Sequence, residues 1–281
     1  MECKPFSPEE AQELTELIQT RYEDSPLQDT MSQAEFDLIC YLTRFALDED
    51  LDDLVEMSVN LGATFQQAMD NPAFCFRFMR LLEAGAASGN GGCCCNLANL
   101  YHMGCSACPA DYATARELYL KGRELGDMQS AVNLGYMYYY GRGGEPDLAA
   151  AYECYAVAAA CAHHPEAYCK LGDLYAHGKF VSKNDPIAWT LYKRAYELAG
   201  DDPLYARPAH HMADYLMHGI EGVLEKDYDS ALLLYSQAER GYYNLIYNEG
   251  LGYYKRQLAQ AIEGQQKARQ AIQDQLDVHI D

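Results

Sequence analysis

Basic charge is what this chain has least of: 21 Lys and Arg face 42 Asp and Glu, a net charge of −21. Such a body repels phosphate backbones, and no basic stripe runs along it, so nucleic-acid binding is not expected. The excess is uneven. Residues 1–56 hold 16 acidic and 3 basic side chains, including Asp48-Glu49-Asp50 and Asp52-Asp53. That start suits a basic partner; the plainer reading is a solvated surface. Long apolar runs are missing too. Met1 to Gln12 has no apolar core, and Glu2, Glu9 and Glu10 stand where an export signal needs one. Residues 84–110 carry no Asp, Glu, Lys or Arg, but Asn90, Asn96, Asn99, His102 and Pro109 interrupt them, which argues against a membrane span. A soluble, cytoplasmic protein is the expectation.

Catalytic signatures are lacking as well. There is no G-x-S-x-G, no H-E-x-x-H, no phosphate-cradling G-x-x-x-x-G-K-[ST], and no Ser followed three residues later by Lys. Nothing remains from which to build an active site, and no cofactor is expected. Cysteine, in contrast, is plentiful at 11. An odd number without an export signal reads as reduced thiols. Cys105-Ser106-Ala107-Cys108 alone is half a zinc site or a redox pair, a weak signal. Cys93-Cys94-Cys95 open the preceding helix, about 15 Å away along a ten-residue helix, so the two groups share no tetrahedral site.

What the chain does have is a repeat. The pattern L-G-x-x-Y-x-x-G appears at Leu97, Leu134 and Leu171, 37 residues apart each time, with Ala98 replacing Gly in the first copy. Weaker copies start at Leu61 and Met212, and a trace remains at Gly250 and Tyr253. A second pattern, A-x-x-x-Y-x-x-(A/G), follows at Ala115, Ala151, Ala188 and Ala231. Positions 0, +4 and +7 share one helical face, so each pattern is the buried stripe of a helix. Terminal Gly104, Gly141, Gly178 and Gly219 suit helix C-termini; Gly126, Gly200 and Gly241 are read as marking the ends of second helices. Asn71-Pro72 and Asp185-Pro186 read as an N-cap before a first-turn Pro. A period in this range without a strand signal predicts a helical solenoid, one body with a continuous core.

With its L-G-x-x-Y-x-x-G blocks, its A-x-x-x-Y-x-x-A blocks and an Asp before each second helix (Asp111, Asp147, Asp185, Asp227), the chain resembles the Sel-one-like repeat family, a relative of the tetratricopeptide repeats. The resemblance covers roughly 58–254. It departs at Cys105–Cys108, where the family's Gly-x-Gly-Val loop is lost, and it keeps a second-helix Trp only at Trp189. It implies an all-α, right-handed α-solenoid of stacked antiparallel helix pairs. The expected division is an acidic helical cap over 1–50, with helices at 7–24 and 32–48, a repeat array of four to five helix pairs over 51–242, and a capping helix over 243–281. That last helix is read as continuous over 243–277, broken if anywhere at Gly264, with Leu258, Ile262, Ile272 and Leu276 as its sparse apolar stripe. Secreted relatives bridge successive repeats with a disulfide; Cys161 and Cys169 have that spacing but are one place off register.

In relatives with this fold the first helix of each repeat lines the concave surface, so positions −1, +2 and +6 from each Leu face a ligand. They are Asn96, Asn99 and Met103; Asn133, Tyr136 and Tyr140; Lys170, Asp173 and His177; His211, Asp214 and His218. Asn, Tyr, Lys and His in rows suit an extended peptide, and Tyr offers contact area at low entropy cost. The bland reading is hydrated polar surface; Tyr136 and Tyr140 side by side weigh against it. Two functions follow. The leading one is a non-catalytic scaffold or adaptor holding a protein or peptide. The other is a metal- or redox-linked regulator or hydrolase using the His/Asp rows or Cys105/Cys108. In the rows, Asp173 and His177 would meet His211 or Asp214 across neighbouring helices. His163, His164 and His210 are taken as surface residues at helix starts. Partner identity and oligomeric state stay open.

Overall fold

The computed structural model describes residues 72–200, 203–248 and 250–278. The expected acidic cap over 1–50 and the weak copy at Leu61 lie outside them. The chain divides into two compact units between Asp147 and Leu148. Both are built of antiparallel helix pairs, the all-α solenoid class read from the repeat, and no strand occurs among the described residues.

The first unit contains α1 (Pro72–Ala87), α2 (Gly91–Met103), α3 (Tyr112–Glu124) and α4 (Met128–Tyr140). Each helix packs on the next, and α2 also touches α4. Start signals are side-chain caps: Asn90 accepts from the Cys93 amide, Asp111 from Ala113 and Thr114, and Asp127 from Ser130. The stop of α4 is Gly141 in the left-handed conformation. Burial follows the stripe: Cys94, Leu97 and Ala98 on α2, Ala115 and Tyr119 on α3, Ala131, Leu134 and Met137 on α4.

The second unit contains α5 (Leu148–Ala162), α6 (Pro165–His177), α7 (Asp185–Ala199), α8 (Ala206–His218), α9 (Tyr228–Tyr247) and α10 (Lys255–Val278). Its core joins Ala188, Tyr192 and Ala195 of α7 to Ala209, Met212 and Ala213 of α8 and Tyr235, Ala238 and Tyr242 of α9. Gly172 lets α7 approach closely: a Cβ there would stand 2.7 Å from the Tyr192 ring.

Several details differ from the sequence expectation. Asn184, not Asp185, caps α7, so Pro186 sits one place deeper in the first turn. Gly241 ends no helix. It lies inside α9, where an added Cβ would meet Ala206 at 2.7 Å, so close packing rather than termination requires it. The last helix starts at Lys255, after a 3-10 turn at Gly252–Tyr254, and runs unbroken through Gly264. Its buried stripe is Ala261, Gly264, Gln265 and Ala268; Ile262 and Leu276 are exposed. Gly264 takes the Tyr235 ring against its bare backbone, so small residues carry this contact in place of the branched ones. His210 is buried within α8 and faces the Tyr242 hydroxyl at 3.3 Å, not a surface residue at a helix start. Cys161 is exposed and Cys169 buried, both as free thiols.

Candidate functional site

In the first unit the predicted face brings α2 and α4 together through their amides. Asn99 accepts from the Tyr119 hydroxyl at 2.5 Å and from the Asn133 amide at 3.1 Å. Asn133 also reaches Cys95 Sγ at 3.7 Å and accepts from Gln129 at 3.0 Å. One asparagine therefore ties α2 to α3, and the other ties α4 back to α2. Beside them Tyr136 and Tyr140 stack in parallel, 6.2 Å between centroids at an interplanar angle of 6°. Tyr140 is 56% exposed, and the Arg142 guanidinium lies 5.8 Å from its ring centre. Asn96 is half-buried, and Met103 is 77% exposed. An apolar and aromatic surface with amide groups between its helices suits contact with a peptide.

In the second unit the predicted rows split. Asp173 becomes the centre of a half-buried network. It accepts from the Tyr192 hydroxyl at 2.9 Å and from Arg207 at 3.0 Å, and Lys170 lies 3.4 Å away. Arg207 also approaches Glu166 at 3.8 Å. His211 Nε2 stands 3.4 Å from Asp173, its ring stacked on Tyr192 at 4.5 Å. Burial pushes the Asp173 carboxyl up, but Arg207 above all, then His211 and Lys170, outweigh it and hold the group at about 2. Burial lowers His211 to about 4, so the ring is neutral at pH 7 and its contact with Asp173 is dipolar. Burial likewise lowers the Lys170 ammonium. Lys170 is thus withdrawn from the solvated face on which the pattern places it.

The remaining row residues stay outside. His177 is exposed, its Nδ1 turned to the Asp173 backbone carbonyl at 2.7 Å. Asp214 is half-exposed, accepting from the Tyr235 hydroxyl at 2.6 Å. His218 is exposed beside the loop over 219–226. His177 does not join Asp173 and His211 as the metal reading required. Among the described residues the group with ligand spacing is instead Cys169, Asp173 and His211, whose donor atoms lie within 4.8 Å of one another. Arg207 and Lys170 already neutralise that carboxylate, and burial pushes the Cys169 thiol up to about 12. Two resident cations and a reluctant thiol make this a poor place for a third positive charge.

Two groups escaped the sequence reading. Arg207 belongs to no repeat pattern, and nothing in its neighbourhood flags it. The role of position +2 was accessible. Asn99, Asp173 and Asp214 each accept the hydroxyl of a tyrosine 20, 19 and 21 residues on, the tyrosine of the second pattern. An acceptor recurring one helix before a buried tyrosine was the signal.

The chain matches the Sel1 repeat family model over 92–127, 129–163, 165–199 and 209–243. Among solved structures it is similar to a Sel1 repeat protein from Oxalobacter formigenes, with a TM-score of 0.58 and 20% identity over 92% of this chain and 99% of that one. It is also similar to c5321, a protective antigen present in uropathogenic Escherichia coli strains and displaying an SLR fold, with a TM-score of 0.55 and 20% identity over 94% of this chain and 54% of that one. This chain thus spans about half the antigen's length. No curated protein matches. At such identity the likeness shows the fold alone.

Proposed function

Since the chain belongs to the Sel1 repeat family, we propose that it is a non-catalytic scaffold holding a protein or peptide against the face formed by α2 and α4. The observation that carries this reading is the stacked Tyr136–Tyr140 pair, with Tyr140 more than half exposed. A pre-stacked aromatic pair loses little entropy on binding and offers a large contact area. Asn96 and Met103 extend the surface, while Asn99 and Asn133 brace it from below. His177, Asp214 and His218 give the second unit a separate exposed polar row, and Lys170, Asp173 and His211 hold its helices in place beneath. The acidic charge favours a basic partner and speeds its encounter. No helix among the described residues is long and apolar enough to cross a membrane. We place the protein in the cytoplasm, a reducing compartment in which its buried cysteines stay as thiols.

A displayed peptide library tests this. The wild type is the bait, and the Tyr136→Ala/Tyr140→Ala variant, checked for folding by circular dichroism, is the counter-bait. Peptides enriched on wild type and lost on the variant support the reading. Equal enrichment on both would remove the α2–α4 face from it.

A further inference from the structure

Between α2 and α3 the chain makes a four-residue turn that no other part of the proposed function uses. Cys105 and Cys108 face each other across it as an isolated antiparallel bridge, with Cys105 N–H donating to the Cys108 carbonyl at 2.8 Å and Cys108 N–H returning at 3.2 Å. The two sulfurs lie 3.3 Å apart. Both residues are half-exposed, whereas Cys75, Cys93, Cys94, Cys95, Cys154 and Cys169 are buried. The turn is anchored on both sides: Gly104 N–H donates to Leu100 and Asp111 N–H to Tyr101. The two thiols are therefore held in contact by a hydrogen-bonded turn.

We propose that Cys105 and Cys108 form a thiol–disulfide exchange site that takes low-molecular-weight disulfides of the glutathione class, with Cys105 as the attacking sulfur and Cys108 as the resolving one.

The surroundings set that asymmetry. Cys105 has sulfur on three sides: Cys108, the Met79 thioether at 3.7 Å, and the Cys75 thiol. Burial pushes the Cys105 thiol up, but hydrogen bonds from the Cys75 and Cys108 thiols and the Ala107 and Cys108 amides outweigh it and bring it below its ordinary value. Burial and the neighbouring Cys105 push Cys108 up to about 12. Cys75 of α1 is likewise raised, to about 11, and stays a donor. The groups acting on these thiols include Cys75 of α1, the Cys105–Cys108 pair itself and the turn residues Ser106 and Ala107, with the Met79 thioether of α1 alongside. Since the thiolate is the nucleophile, Cys105 is poised and Cys108 waits.

The chemistry balances in two steps. The Cys105 thiolate attacks one sulfur of the small disulfide; a mixed disulfide forms and one small thiolate leaves. Cys108, giving its proton to solvent, then attacks Cys105 Sγ, and the second small thiolate leaves. Two protein thiols are oxidised, and one disulfide is reduced to two thiols. The buried thiols lack access to the reagent, and exposed Cys161 has no described cysteine beside it to resolve the intermediate.

The test equilibrates the full chain with glutathione mixtures from reducing to oxidising and maps thiols by differential alkylation and mass spectrometry. A Cys105–Cys108 disulfide free of retained glutathione is expected, while Cys161 keeps a glutathione adduct. Cys108→Ser should trap the adduct on Cys105, and Cys105→Ser should leave Cys108 unmodified. If either variant fails to fold, wild-type alkylation decides: Cys105 should react several-fold faster than Cys161. Independent adducts on both sulfurs, or a Cys105 no faster than Cys161, would overturn the proposal.

Discussion

Arg207 is the side chain on which the second unit's polar interior depends. It reaches both Asp173 and Glu166 from the first turn of α8, and it is the largest influence holding the Asp173 carboxyl low against burial. Arg207→Met should leave that carboxylate to the more distant Lys170 and cost about 2 kcal/mol in urea unfolding, because a largely buried charge loses its strongest partner. Adding Asp173→Asn to the same chain should recover part of the loss; strict additivity would show that the two do not interact. Acid acts on this cluster as well. His211 titrates at about 4 in the fold against its ordinary 6.5, so between those values only the unfolded chain takes up the proton. Stability should therefore fall as pH drops from 6.5 towards 4, by about 1–2 kcal/mol, less than the full shift because solvent screens a ring that is 32% exposed. His211→Gln should flatten that part of the profile. Asp173 has the opposite charge but the same sense: its contribution is complete above its ordinary 3.8 and is lost as pH falls towards about 2.

At the scale of helices, small residues matter as much as large ones. Gly172→Ala should push the Tyr192 ring and cost about 1–3 kcal/mol, the usual range for overpacking. Gly252→Ala meets nothing within 4 Å and has no positive φ, so thermal melts of the two variants should show it neutral or slightly stabilising. Asn184→Ala should remove the cap of α7 and cost about 1 kcal/mol, which a shifted denaturant midpoint would report. These elements also show what was legible beforehand. The L-G-x-x-Y-x-x-G and A-x-x-x-Y-x-x-A stripes gave the helices, their buried faces and their glycine ends, because helical periodicity is local. The end of α9 and the start of α10 were not legible. Gly241 looks like a terminator in sequence, and only the tertiary approach of Ala206 shows it as a packing site. The same holds for the α10 stripe, where Ala261, Gly264 and Ala268 outrank the branched residues because Tyr235 needs the room. At the site, Tyr140, His177 and His218 are exposed, whereas Lys170 is buried. Lys170 sits against Asp173, in a cluster completed by Arg207 and Glu166, which belong to no repeat pattern.

For the molecule as a whole, the net charge of −21 is the dominant long-range term. Self-repulsion of that size opposes the compact state, so the melting temperature should rise between low salt and about 0.15 M, where the Debye length is about 8 Å. A flat salt response would mean that the acidic side chains are already compensated locally. The two compact units add a further consequence, and it comes from Trp189. It is the only tryptophan in the chain, half-buried on α7 and set edge-on to Tyr215 of α8 at 6.3 Å. Red-edge excitation, which passes over all 24 tyrosines, therefore yields a fluorescence signal from the second unit alone. Far-ultraviolet dichroism sums the helices of both. The protein thus carries a built-in optical label: the two unfolding curves, recorded on one unmodified sample, coincide if the units melt together and separate if they do not.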